Sequence, residues 1–512
     1  MALEMTLPPA LISLVQVGLA EAPAISSPGR VLLRYRGLRA LVERTRGELR
    51  RAGVGRGDCV ALVLPNGPEM ATSFVAVAAA VTTAPLNPAY KADELDFYLS
   101  DLQAKALILP RGFESPARQV AARRGIPILA LESSGTASGD FSLVPEEPVL
   151  VDTKSDGPAE PADIALVLHT SGTTARPKIV PLTHENVCAS AHNIAATLRL
   201  TPNDVCLNIM PLFHIHGLLA AVLATLSAGA SVSCTPGFNA LKFFAWLEEV
   251  RPTWYTAVPT MHQAILSRAS RNQESLETSR LRLVRSSSAS LPPQVMLALE
   301  KTFRCPVIEA YGMTEAAHQM ASNPLPPRPR KPGSVGLAAG PEIAIMDPDG
   351  ALLPTGAVGE VVIRGANVTH GYASNPEANA AAFTHGWFRT GDQGALDEGG
   401  YLRLTGRLKE LINRGGEKVS PIEVDTVLLD HPAVEQVVTF GVPHAKLGEE
   451  AFAAVVLRAG ASPSERDLQD FAAGRLAAFK VPRRIVFVTE IPKGPTGKLQ
   501  RLGLAKLLGL AP

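Results

Sequence analysis

The stretch "IALVLHTSGTTARPK", residues 164–178, sets five apolar residues directly before a loop of four hydroxyls, one glycine and two cations. The apolar run reads as a buried strand of a parallel sheet, and the polar tail as the loop at its carboxyl end, where such sheets bind ligands. Ser, Gly and Thr offer backbone N–H groups and hydroxyls to phosphate oxygens, and Lys178 adds a point charge. The usual phosphate loop closes with Gly-Lys-Ser/Thr just before a helix. Here Lys178 follows Pro177 and precedes Ile179, so the hydroxyl that would hold a metal is absent. Taken alone, such a loop is more often just a flexible connection, and its neighbours must decide.

Outward from it, short β-rich runs end in small or polar residues: "CVALVLPNG" at 59–67, "KALILP", "DVCLNIMPLFH", "GASVSCTPGF", "TWYTAVPT", "LRLVRSSSAS" and "CPVIEAYG". Most are followed by a helix-length stretch, as in "PEMATSFVAVAAAVTTAPLN", which reads as a helix and then a strand. This is the α/β signature of largely parallel sheets covered by helices. After about residue 335, "EIAIMDPDGALLPTGAVGEVVIRG" and "GALDEGGYLRLTGR" read as short strands joined by Asp-Gly and Gly-Gly turns. From about 408 the pattern is mixed again. The expected fold is therefore α/β. A large N-terminal domain, 1–407, holds two α/β sheet subdomains and a small β-barrel-like one, and a small mobile α+β C-terminal domain spans 408–512. Residues 132–162, rich in Ser, Gly, Pro and acids, read as a surface connection.

Composition bounds the function. At 512 residues the chain is too long for one core. Lys+Arg 49 against Asp+Glu 48 gives a net charge of +1, without the basic excess of a nucleic-acid binder. The five cysteines form no C-x-x-C pair and read as reduced thiols of a cytoplasmic protein. The N-terminus lacks the basic start of a signal peptide and reads as an amphipathic helix. The apolar runs near 73–86 and 217–234 are broken by Gly, Ser, Thr or Pro, so no membrane span is expected. The C-terminal Leu-Ala-Pro is not a peroxisomal address.

Four further loops carry chemistry: "EAYGMTE" (309–315), "TGDQG" (390–394), "TGRLKELINRGGEKVSPIEVD" (405–425) and "PKGPTGKLQR" (492–501). With the opening loop, in this order and spacing, they resemble the acyl-adenylate-forming superfamily of acyl-CoA synthetases, amino-acid adenylation domains and firefly luciferases. The resemblance covers nearly the whole chain. Within it, "PLFHIHGLLA", "TWYTAVPTMHQAIL", "VRSSSASLPP", "MASNPLPP" and "ELINRGGEKVSPIEVD" look most like the oxalate–CoA ligases of plants and fungi.

The resemblance implies two half-reactions in one site. A carboxylate attacks the α-phosphate of MgATP, and coenzyme A then displaces AMP from the acyl-adenylate. It assigns Thr170, Ser171, Gly172, Thr173, Thr174 and Lys178 to the β- and γ-phosphates, with Ala175 where the family often has Gly. Tyr311 would stack on adenine, with Ser288, Ala289, Glu309, Ala310, Gly312 and Met313 around the nucleotide. Thr314 would bond the α-phosphate, and Glu315 would hold Mg²⁺ through carboxylate oxygen, the hard ligand this cation prefers. Asp392 would bind the ribose, assisted by Arg407. Lys498 would be the catalytic cation of adenylation. Lys409 would be the hinge about which the C-terminal domain turns, bringing Gly415, Gly416 and Lys418 to coenzyme A.

The family's acid pocket is lined by regions around 210–217, 254–262, 285–290 and 311–320. Here they hold His214, His216, Arg285, Ser286, Ser287, Ser288 and His318, many donors where a fatty-acid enzyme would be apolar. A small dianion needs its second carboxylate paired with such donors, because a buried unpaired charge is costly. Oxalate fits, with His214, Ser288 and His318 as contacts. Alternatives stay open at this point. His214 could gate the coenzyme A tunnel, His214 and His216 could bind a metal, Arg285 could be an ion-pair partner, and His318 could be a solvent-facing cap. The rival activities are a ligase for malonate or a small aliphatic acid, an adenylation module loading a carrier protein, and a non-catalytic or light-emitting relative. The "TWYTAVPT" region has no acid for an amino-acid substrate, and Lys498 and Glu315 are both retained. The expected partners are a small carboxylic acid, ATP and coenzyme A, with no nucleic acid and no membrane, in a monomer or homodimer.

Overall fold

The computed structural model describes residues 10–147, 157–170, 177–494 and 497–511. Among the described residues, the first sheet has seven strands. In spatial order they are Phe141–Pro145, Ile128–Ser133, Ala106–Pro110, Cys59–Leu62, Thr82–Pro85, Ile164–His169 and Ile179–Thr183. Its interior pairs are parallel, and the outermost pair at each edge is antiparallel. The second sheet has nine strands and runs from Leu337–Ala338 through His318–Ser322, Val307–Met313, Leu283–Ser286 and Trp254–Ala257 to the N-terminal strands.

Helix Pro68–Ala78 shows why the two sheets form one body. Of its eleven residues only Glu69 escapes full burial, which requires apolar neighbours on every side. It packs against Cys59–Leu62 and Thr82–Pro85 of the first sheet and against Pro23–Ser26 and Ser231–Cys234 of the second. The run 217–234, too broken for a membrane span, is a buried π-helical stretch His216–Leu223, then Ala224–Ser227 and the strand Ser231–Cys234. Gly217 is required there, since a Cβ would stand 2.4 Å from the Pro211 carbonyl oxygen. No helix of the described residues is long and apolar enough to cross a membrane.

The strands expected after residue 335 form a five-stranded antiparallel sheet that includes Gly359–Arg364, Trp387–Leu396 and Leu402–Arg407. After a turn at 408–410, Ile412–Arg414 opens a separate five-stranded sheet with its own apolar cores around Ile412, Val424, Val455 and Phe440. The architecture is thus the expected α/β N-terminal domain followed by a small C-terminal α+β domain.

Two expectations need correction. Residues 132–162 are not all surface connection, because Ile128–Ser133 and Phe141–Pro145 form an antiparallel pair. Phe141 and Leu143 alternate into the core and hold that edge strand, a signal of two residues hidden in a polar context. The first helix is a six-residue 3₁₀ turn, Leu11–Gln16, that buries Leu11, Leu14 and Val15; residues 1–9 lie outside the described residues. All five cysteines are free thiols.

Candidate active site

A cleft of about 400 Å³ lies where the strand ends of both sheets meet the five-stranded sheet and the C-terminal domain. At one end of the cleft the opening loop is stitched at its base. The Thr170 N–H donates to the Lys178 carbonyl oxygen at 2.9 Å, and the Lys178 N–H donates to Thr170 Oγ1 at 3.1 Å. Ile179–Thr183 then runs back antiparallel to Ile164–His169, so the loop joins two strands of a hairpin. Lys178 leads into a strand and not into a helix. Ser171, Gly172, Thr173, Thr174 and Ala175 lie outside the described residues.

Lys178 Nζ stands 4.4 Å from the centroid of the Tyr372 ring, and the Tyr372 hydroxyl donates to Glu315 Oε1 at 2.9 Å. One aromatic residue therefore holds both the cation and the carboxylate of this end. Glu315 is buried, and burial raises its carboxyl pKa. Nothing among the described residues makes a cluster of three metal ligands. Glu315, one of four carboxylates that line the cleft with Glu360, Asp392 and Glu410, fits Mg²⁺, which takes one or two protein carboxylates and completes its shell with phosphates and water.

The nucleotide region is built on strand pairing. Asp392 and Arg407 are cross-strand partners, with Arg407 Nε 3.3 Å from Asp392 Oδ1. The buried Tyr311 hydroxyl donates to Asp392 Oδ2. Lys498 enters the cleft from the C-terminal domain, and burial and Arg407 lower its ammonium pKa to about 8.

Another part of the cleft is lined by His214, Ser288 and His318. The His216 N–H donates to His214 Nδ1 at 3.3 Å, so the proton of a neutral His214 sits on Nε2. Burial and the Lys498 charge push His214 down to about 3. His216 is buried between Ser288 Oγ, 3.0 Å from Nδ1, and Thr256 Oγ1, 2.6 Å from Nε2. His318 has φ +98° and Ser288 φ +73°, a left-handed backbone that non-glycine residues hold only when their surroundings over-determine it. Gly312 explains part of this: a Cβ there would lie 1.7 Å from the His318 carbonyl oxygen, so only glycine allows the two strands this approach.

Several expectations change here. His318 is 1% exposed, a wall of the cleft and not a solvent-facing cap. His214 and His216 do not chelate, because their segment is the entry to a helix and their rings bond different partners. Arg285 forms no ion pair among the described residues; its partners there are Thr256, His318 and Gln319. Gly415, Gly416 and Lys418 are exposed on the hairpin of Ile412–Arg414 and Glu417–Val419, outside the cleft. Lys409 is exposed at the cleft's margin, Ala289 is exposed beyond it, and Glu309 and Ala310 are buried beneath it. Burial pushes the Glu309 carboxyl up to about 8. Glu360, Tyr372, Arg389 and Thr390 line the cleft and were missed by the sequence reading. Of these, only Thr390 lay within a stretch the sequence had marked, "TGDQG".

Fold and cleft together define a two-domain adenylating enzyme, and the chain belongs to the AMP-binding enzyme family, which residues 17–373 match, with residues 423–498 matching the AMP-binding enzyme C-terminal domain. It is 48% identical to the oxalate–CoA ligase of Arabidopsis thaliana over 483 residues, 93% of this chain and 94% of that one. To the oxalate–CoA ligase of Saccharomyces cerevisiae it is 43% identical over 481 residues, 88% of this chain and 87% of that one. Among solved structures, ATP-bound MatB from Rhodopseudomonas palustris superposes with a TM-score of 0.86 at 31% identity, covering 98% of each chain.

Proposed function

We propose that this chain, an ATP-dependent acid–CoA ligase, activates oxalate. The observation that carries the substrate is the acid end of the cleft, where His214, Ser288, His318 and Lys498 present polar groups and the fully buried Arg285 stands behind them. A dianion of four oxygens can satisfy such a wall, whereas an alkyl chain would leave its polar groups unpaired. The names of the plant and yeast relatives point the same way.

In the first half-reaction an oxalate oxygen attacks the α-phosphorus of ATP, and the bond to the β-phosphate breaks, releasing pyrophosphate. Lys498 sits between the meeting anions as their shared cation, and Thr314 donates to the α-phosphate. Lys178 and the loop from Thr170, with Ser171, Gly172, Thr173 and Thr174, hold the β- and γ-phosphates. Tyr311, Gly312, Met313 and Ser288 cover adenine, with Ala289 at the rim and Glu309 and Ala310 supporting them from beneath, while Asp392 and Arg407 take the ribose. Mg²⁺ bound at Glu315 would offset phosphate charge. In the second half-reaction the thiolate of coenzyme A attacks the acyl carbon and AMP leaves. The reading places the domain boundary after Arg407. The C-terminal domain then turns at Lys409, withdrawing Lys498 and bringing Gly415, Gly416 and Lys418 toward coenzyme A. It also carries a cytoplasmic location and a monomer or homodimer.

The test is pyrophosphate release by purified protein with ATP, Mg²⁺ and coenzyme A against a panel of acids. Oxalate is expected to show the highest kcat/KM. Malonate or hexanoate outrunning it would sink the substrate assignment.

A further inference from the structure

Arg285 is 0% exposed, and no carboxylate pairs with it among the described residues. Burial pushes it down to about 9, so it remains a cation at neutral pH. Its Nε has no hydrogen-bond partner among the described residues. An uncompensated buried guanidinium is expensive, and its position is held firmly. Gln319 spends its amide N–H groups on Thr197 Oγ1 and the Ala339 carbonyl, both at 3.1 Å, which turns its oxygen to Arg285 Nη2 at 3.2 Å. Arg285 Nη1 then reaches two acceptors, His318 Nε2 at 3.3 Å and Thr256 Oγ1 at 3.4 Å.

A guanidinium only donates, so the bonds from Arg285 have one direction. His318 Nε2 accepts, so the proton of neutral His318 sits on Nδ1. Thr256 Oγ1 accepts from Arg285 with one of its two lone pairs and meets His216 Nε2 at 2.6 Å. His216 Nδ1 in turn meets Ser288 Oγ at 3.0 Å. Two chains of polar contacts thus start at one cation and end at His318 and Ser288, both of which line the cleft.

We propose that Arg285 is the positioning residue that sets preference for a dianionic acid: it orients His318 and, through Thr256 and His216, Ser288, and balances the charge of the acid's second carboxylate. The inference rests on the oxalate reading above and adds to it the origin of the preference. Its chemistry distinguishes oxalate from oxamate, which has the same size and shape but a neutral amide in place of the second carboxylate.

The experiment measures kcat and KM for oxalate and for oxamate, and KM for ATP, in the wild-type protein, Arg285→Gln and Arg285→Lys. Wild-type failure to turn over oxalate sinks the substrate reading itself. Given wild-type turnover, Arg285→Gln is expected to raise KM for oxalate about tenfold or more, the loss of one charge-assisted bond. KM for ATP should stay unchanged, and the preference for oxalate over oxamate should collapse. Arg285→Lys, which keeps the charge, should recover part of that preference. The proposal is overturned if Arg285→Gln weakens oxalate and oxamate by the same factor, or changes neither. Should Arg285→Gln show no cooperative thermal transition, Arg285→Lys decides. A raised oxalate KM at unchanged ATP KM supports the proposal, and a preference identical to wild type removes it.

Discussion

Thr260 Oγ1 donates to the Gly497 carbonyl oxygen at 2.6 Å, tying the peptide just before Lys498 to the first turn of helix Pro259–Ala269. This bond crosses from the C-terminal domain to the N-terminal one and fixes which face of the small domain meets the cleft. Thr260→Ala removes it without touching substrate. Adenylation is expected to slow roughly fivefold, the weight of one neutral hydrogen bond. Coenzyme A attack on pre-formed acyl-adenylate should be unchanged. Pyrophosphate release and thioester formation, measured separately, check this.

Lys498→Ala goes further. A preorganised cation at developing charge contributes on the order of a hundredfold or more, so adenylation should collapse. The second half-reaction should survive much better. Equal loss of both would count against a domain that exchanges faces between steps.

The pH dependence follows from the same lysine. Burial and Arg407 lower Lys498 to about 8, while Asp392 opposes them, and His214 and His318 are the other titratable groups facing it. The active form is the cation, so kcat/KM should fall as pH rises through about 8. Lys498→Arg should move that limb to higher pH. His214 is held at about 3 by burial and Lys498, and His318 lies well below its usual value, so no acid limb near 6.5 is expected despite the imidazoles in the cleft. A limb there in the kcat/KM profile would contradict their neutral state.

Tyr372→Phe keeps the ring over Lys178 and deletes the bond to Glu315. Glu315 is buried, so its oxygen loses a partner it cannot replace easily. KM for MgATP should rise about fivefold with kcat for saturating substrates little changed. Titration of Mg²⁺ at fixed ATP should show the same displacement.

Much of this was legible in the residues. Apolar runs ending in polar loops marked the parallel strands, since a strand buried on both faces leaves an uninterrupted signal. "YGMTE", "TGD" and "PTGK" marked Tyr311, Glu315, Asp392 and Lys498. What stayed hidden depends on neighbours distant in sequence. Tyr372 follows Glu315 by 57 positions and bonds it only after the chain folds back. Arg285 could be read as a pocket donor or as half of an ion pair, because a sequence cannot show whether a carboxylate stands beside it. The left-handed backbone of His318, in close contact with Gly312, is not announced by its residue type.

That contact restricts how such an enzyme can diversify. Tyr311 and His318 lie on one antiparallel hairpin, Val307–Met313 with His318–Ser322, where Met313 faces His318 and Tyr311 faces Ala321. Reshaping this wall to admit a longer acid would disturb the nucleotide platform with it. New acid preferences are therefore more accessible from the opposite side, at His214 and the helix entry it guards, where a change leaves that hairpin intact.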